Sequence, residues 1–281
     1  MREVAASEIT DAVARLSMDA CYNLGEDVVG FFERAVEREE SEAGRAVFRQ
    51  LLQNVDIARD EQMPLCQDTG LAVVFIDLGQ EVHVTGGDLE AAVNAGVARG
   101  YTDGYLRKSV VALPYGERTN TGDNTPAMLH LRIVPGDRVK ITLAPKGGGA
   151  ENMSALSMLK PAQGRRGIVD FVVETVGKAG PNACPPMVVG VGIGGTFEKV
   201  AESAKRALLR DVGSTNPVPR LAELEDELEA LCNDLGIGPQ GLGGRITVMD
   251  VFVQELPAHI ASLPVAVNIQ CHSARHKEVV L

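Results

Sequence analysis

Gly190-Val191-Gly192-Ile193-Gly194-Gly195 follows an apolar stretch at 187–193 and leads into a helical pattern over 196–210. In form it matches G-x-G-x-x-G, the dinucleotide fingerprint of a strand–turn–helix unit. That reading requires a second strand after the helix, ending in an acidic residue that holds a ribose. Here Asp211 instead opens a Pro-containing loop over 211–219, and a further helical pattern follows. Context therefore excludes a doubly wound dinucleotide fold. What remains is a tight strand-to-helix turn, or a set of backbone N–H groups cupping a small anion.

Working outward, the flanking segments alternate irregularly between the two kinds of element. Ile9, Val13, Leu16, Ala20 and Leu24, then Phe31 to Val55, recur at helical spacing, so residues 7 to about 60 are expected to be helices ended by Pro64. Leu71-Ala72-Val73-Val74-Phe75-Ile76, closed by Asp77-Leu78-Gly79, reads as a buried strand. Residues 88–100 read as a helix. The runs 129–134 and 139–143, joined by Pro135-Gly136-Asp137, read as a β-hairpin. Helices are expected at 150–160 and 165–178, and another carries the stripe Leu221, Leu224, Leu228, Leu231 and Leu235. Extended runs at 246–253 and 264–269 precede a short polar end. The fold class is α+β, a single domain over 1–281 with a helical lobe at 1–62.

Composition bounds the function. Lys plus Arg number 27 against 38 Asp plus Glu, a net charge of −11 that repels nucleic acid and anionic membrane surfaces. No apolar run reaches the roughly 18 residues needed to span a bilayer, and the start lacks the pattern of a signal peptide, so a cytoplasmic location is expected. Aromatic residues are only 4% while glycines number 30, which points to an aliphatic core and many tight turns or close approaches.

Of five cysteines, Cys21 and Cys232 fall on apolar helix faces and read as small buried hydrophobes. Cys66, Cys184 and Cys271 each sit at an irregular junction instead. Three loop thiols are compatible with zinc, with an iron–sulfur cluster or with a structural role, and no C-x-x-C spacing decides among them. Lys146-Gly147-Gly148-Gly149-Ala150-Glu151-Asn152 lacks the order of a P-loop. Its glycines would let backbone amides approach a carboxylate. Arg107 and His259, taken alone, read as a surface charge and a satisfied histidine.

Taken together, Leu65-Cys66-Gln67-Asp68-Thr69-Gly70, the 146–152 run, Ala183-Cys184-Pro185-Pro186, the 190–196 turn and Cys271-His272-Ser273-Ala274-Arg275-His276 resemble the iron–sulfur class of fumarate hydratases. The similarity is to the α subunit of the two-chain form, with the L(+)-tartrate dehydratase α subunit a close relative, and it covers nearly the whole chain. The resemblance implies a [4Fe-4S] cluster on Cys66, Cys184 and Cys271, and reversible loss of water from a 2-hydroxy dicarboxylate substrate. It also implies substrate contacts from Gln67, Asp68, Arg107, Gly148 and His259, with Asp68 the acid for the departing hydroxyl. Single-chain members continue into a second domain that carries the base. The expectation here is therefore a hetero-oligomer with a separate β subunit of roughly 200 residues. A zinc-dependent hydrolase is the distant alternative.

Overall fold

The computed structural model describes residues 1–281. The chain divides into two compact units, one of Met1–Leu24, Asn54–Gly148 and Arg275–Leu281, the other of Gly25–Gln53 and Gly149–Ala274. Each has a sheet with helices against it, in keeping with the α+β expectation. Of the N-terminal residues, Met1–Leu24 lie in the first unit and Gly25–Gln53 in the second.

In the first unit, β1 (Arg2–Ala5) leads directly into α1 (Ala6–Tyr22). Helix α2 (Glu26–Arg38) belongs to the second unit, and α3 (Glu42–Glu61) carries the chain back. Strand β2 (Leu71–Gly79) follows, buried without a break from Ala72 to Ile76, then β3 (Val82–Thr85), which pairs in parallel with β1. Helix α4 (Leu89–Asp103) starts at Asp88, whose side chain accepts the Ala91 N–H. Strands β4 (Met128–Val134), β5 (Val139–Lys146) and the terminal β10 (Lys277–Val280) complete a sheet of order β10-β5-β2-β4. Ile9, Val13 and Leu16 of α1 and Val93, Val97 and Tyr101 of α4 pack with Val74, Ile76, Ile141 and Leu143 of that sheet.

The expected hairpin does not form. Strand β4 pairs in parallel with β2, and β5 pairs antiparallel with β2, so β2 lies between the two strands that the sequence seemed to join directly. A strand buried on both faces needs a neighbour along each edge, because its N–H and C=O groups have no water. The Gly136 turn accordingly spans β2, and the residues after β2 bond into it: Gln80 N–H to Val134 O and Glu81 N–H to Gly136 O.

In the second unit, α5 (Gly148–Glu151) is one turn long and straddles the division. Residues 155–159 then form strand β6 (Ala155–Leu159) rather than the expected helix. Ala, Leu and Met favour helix intrinsically, but pairing with the edge of a sheet overrides so weak a preference. Helix α6 (Gly164–Ala179), β7 (Met187–Gly194), α7 (Phe197–Ala207), α8 (Pro219–Asn233), β8 (Val248–Leu256) and β9 (Leu263–Gln270) complete the unit. The sheet order is β6-β9-β7-β8, with every residue of β7 buried.

Alternation along β7 explains the glycine fingerprint. Val189, Val191 and Ile193 face Val172 and Val176 of α6 and Leu224 and Leu228 of α8. Gly190 and Gly192 face α7 on the other side. A Cβ at either position would lie 2.1 Å from Ala204 O or 2.3 Å from Val200 O, so the missing side chains let the helix rest on the strand. The Gly195 N–H donates to Pro257 O, consistent with a structural turn. Only the first part of the leucine stripe on α8 is core: Leu221, Leu224 and Leu228 are buried, while Leu231 and Leu235 are exposed.

Candidate active site

The loop after α3 is tied down carbonyl by carbonyl. Leu65 donates its N–H to Cys21 O at 2.9 Å, and its own carbonyl accepts from Asn54 Nδ2 at 2.8 Å. Thr69 O accepts from the buried Tyr101 hydroxyl at 2.7 Å, and Gly70 O accepts from Asn124 Nδ2 at 3.2 Å. Gly70 has φ +74°, and a Cβ there would lie 2.7 Å from the backbone of Lys146. Glycine is thus required where the loop enters β2 against β5.

This anchoring aims the side chains of Cys66 and Asp68. The Asp68 N–H donates to Cys66 Sγ and the Cys66 thiol donates to Gln67 Oε1, both at 3.4 Å. Asp68 Oδ1 accepts the Gly70 N–H at 3.0 Å, and Oδ2 accepts the Gly148 N–H at 2.8 Å. Each carboxylate oxygen keeps a further acceptor position, so the group can still meet a ligand. The Thr69 hydroxyl donates to Arg107 O at 2.9 Å, pinning that backbone beside the loop while the Arg107 side chain is exposed. Cys66, Gln67, Asp68, Arg107 and Gly148 therefore share one neighbourhood of the first unit.

Cys184 and Cys271 are brought to one end of the second unit's sheet. Strands β7 and β9 are antiparallel neighbours in a register that sets Val188 opposite Gln270, so the residues before β7 and after β9 emerge together. The His272 N–H donates to Cys184 O at 3.1 Å, and Gln240 Nε2 lies 2.8 Å from Pro185 O and 3.1 Å from His272 Nδ1. Cys184 adopts a left-handed backbone (φ 53°) as it closes the turn before the strand.

His259 lies elsewhere in that unit. It sits in the exposed turn between β8 and β9, at the opposite end of β7 from Cys184, roughly 20 Å away by strand rise. Its ring accepts the Ala261 N–H at 3.1 Å. Within this unit His259 does not join Cys184 and Cys271.

The cysteines separate as expected. Burial pushes the Cys21 thiol up to about 11, partly offset by the positive charge of Arg275. Burial pushes Cys232 up to about 12, with Glu229 adding to it. Both are inert as thiols. Cys66 and Cys271 are partly accessible and Cys184 is exposed, and none of the five forms a disulfide. Within neither unit do three His, Cys, Asp or Glu side chains converge as a ready metal site. The donor chemistry nonetheless fits a soft-metal group: accessible sulfur on loops rather than carboxylate or imidazole clusters.

Sequence reasoning passed over Tyr101, Asn124 and Arg275, which fix the loop from beneath. Arg275, whose Nη2 donates to Asp68 O, lies in the Cys271–His276 motif, but nothing local marks a residue that acts on a distant carbonyl.

A family model described as fumarate hydratase (fumerase) matches residues 10–280. A Methanocaldococcus jannaschii protein provisionally named L(+)-tartrate dehydratase subunit alpha is 41% identical over 273 residues, 95% of each chain. The protein named L(+)-tartrate dehydratase subunit alpha from Escherichia coli UTI89 is 34% identical over 278 residues, 98% of this chain and 91% of its own. Its Escherichia coli K12 counterpart is 33% identical over the same shares. These findings define a hydro-lyase, an enzyme that removes or adds water at a carbon–carbon bond. The chain belongs to the fumarate hydratase family.

Proposed function

We propose that this chain is the α subunit of a [4Fe-4S]-dependent hydro-lyase that reversibly dehydrates a 2-hydroxy dicarboxylate, (S)-malate to fumarate in the first reading. The observation that carries it is the Asp68 carboxylate, two residues from Cys66, with its oxygens held by the Gly70 and Gly148 N–H groups. Asp68 would deliver the proton that leaves with the hydroxyl, a role in which position matters as much as acidity. The exposed Arg107 guanidinium is suited to a bidentate grip on a substrate carboxylate, and Gln67 and the Gly148 backbone would orient the rest. His259 is the further substrate contact that the resemblance implies.

Cys66, Cys184 and Cys271 would hold the cluster. When bound, a cluster on three thiolates supplies a Lewis-acidic iron that eases the loss of hydroxide, a poor leaving group. The base and the groups for the distal carboxylate are assigned to a β subunit, a reading supported by the "subunit alpha" in the relatives' names. The same names favour a second reading, L(+)-tartrate to oxaloacetate. Thiols outside any disulfide suit a reducing, cytoplasmic compartment. No helix is long and apolar enough to cross a membrane.

The test is turnover by the complex isolated anaerobically with its partner chain, offered malate and L(+)-tartrate in parallel. Preferential conversion of malate supports the first reading and preferential conversion of tartrate the second. Turnover of neither by an iron-loaded complex contradicts both.

A further inference from the structure

Arg275 is a buried cation that the proposed reaction leaves without a role. It is 4% exposed, and its Nη2 donates to the main-chain carbonyl of Asp68. The carbonyls of Thr69 and Gly70 are capped by neutral groups, the Tyr101 hydroxyl and the Asn124 amide. Burying a guanidinium carries a desolvation cost that its hydrogen bonds must offset. Arg275 and Asp68 also act with opposite sign on the same two buried groups, the Cys21 thiol and the Tyr101 hydroxyl. The guanidinium reaches the Asp68 carbonyl through Nη2, on a planar group that keeps less rotational freedom than an ammonium.

We propose that Arg275 is a positioning residue for Asp68: its guanidinium locks the Asp68 peptide from below, so that the carboxylate stays aimed at the Gly148 side. The assignment rests on the reading of Asp68 as the acid, and its test has one arm that does not depend on turnover. Arg275→Met and Arg275→Lys are compared with the unaltered protein in the complex, by amide hydrogen exchange and by steady-state kinetics.

In Arg275→Met, exchange at residues 66–70 is expected to rise about tenfold or more while β2 and β5 stay protected. The kcat should fall about 100-fold, the usual consequence of a misplacement near 1 Å, with KM within about threefold. Arg275→Lys should lie between, recovering about tenfold of the loss. Unchanged exchange in Arg275→Met, or a raised KM at normal kcat, overturns the assignment. Should the Met variant not fold, the Lys variant decides alone: looser exchange with reduced kcat supports the role, and unchanged exchange or unchanged kcat in it refutes the role. If the unaltered complex dehydrates nothing while Arg275→Met still loosens 66–70, the reading of the reaction fails and the positioning role stands.

Discussion

Two glycines with the same backbone conformation provide a controlled measure of how tightly the site loop is packed. Gly70 and Gly86 both have φ +74°. Alanine at either position meets left-handed backbone strain of about 1–2 kcal/mol. They differ in their surroundings: a Cβ at Gly86 has nothing within 4 Å, whereas one at Gly70 would sit 2.7 Å from the N, C and O atoms of Lys146. Lys146 is paired to Leu71 at the start of the β2–β5 ladder, so its backbone cannot yield without loss of register. Overpacking of this kind adds about 1–3 kcal/mol. Gly86→Ala is therefore expected to cost about 1–2 kcal/mol and Gly70→Ala about 2–5 kcal/mol in urea unfolding. If the strain is relieved by lifting the loop, the Asp68 to Gly148 bond of 2.8 Å is stretched or lost. The assembled enzyme should then lose about 100-fold in kcat for Gly70→Ala and nothing comparable for Gly86→Ala. Equal destabilisation by the two substitutions, or full activity with alanine at 70, would refute the reasoning.

Other expectations follow from the same geometry. Asp68→Asn keeps the size of the side chain but removes the acid, and should lower kcat by about 10²–10⁴-fold while iron content holds; full turnover sinks the acid assignment. Glu39 is 1% exposed; burial raises its carboxyl, but the N–H groups of Ser41, Arg245 and Ile246 outweigh this and hold it below the usual carboxylate range. Its stabilisation is present at neutral pH and lost as pH falls through that lowered value. Glu39→Gln should cost about 1–3 kcal/mol at pH 7 and less in acid, as read by urea titration. Glu229 behaves oppositely: burial, with Asp250 and Asp226 adding to it against Arg38, raises it to about 7. Ionising it above that pH destabilises the fold. Glu229→Gln should thus stabilise the chain by about 1–2 kcal/mol at pH 8, after discounting for partial solvation, and change little at pH 5. A gain independent of pH would argue against a titrating carboxyl.

Local periodicity made the helices of 7–60, the buried strands β2 and β7 and the α8 stripe legible, because each is a long apolar pattern with one period. Strand order was not legible. The turn at Pro135-Gly136-Asp137 has hairpin chemistry, and only the need of β2 for two neighbours separates β4 from β5. Strand β6 was hidden by its Ala, Leu and Met, and β10 by its polar setting. Among the candidate site residues, the loops around Cys66, Gly148, Cys184 and Cys271 were visible as irregular, glycine- or proline-marked junctions. Tyr101 and Arg275 were not, since their role is to cap carbonyls far away in the chain. The distance of His259 from Cys184 within one unit depends on strand direction, which side-chain periodicity does not encode.

Cys66, Cys184 and Cys271 are proposed to hold one iron–sulfur group. Anaerobic reconstitution with iron and sulfide, with parallel zinc analysis and Cys→Ser variants at all five cysteines, tests it most directly. About four irons and four sulfides per chain and a brown absorbance near 400 nm are expected. That content should collapse in Cys66→Ser, Cys184→Ser and Cys271→Ser and persist in Cys21→Ser and Cys232→Ser. Stoichiometric zinc without sulfide, or iron content indifferent to Cys184→Ser, would contradict it.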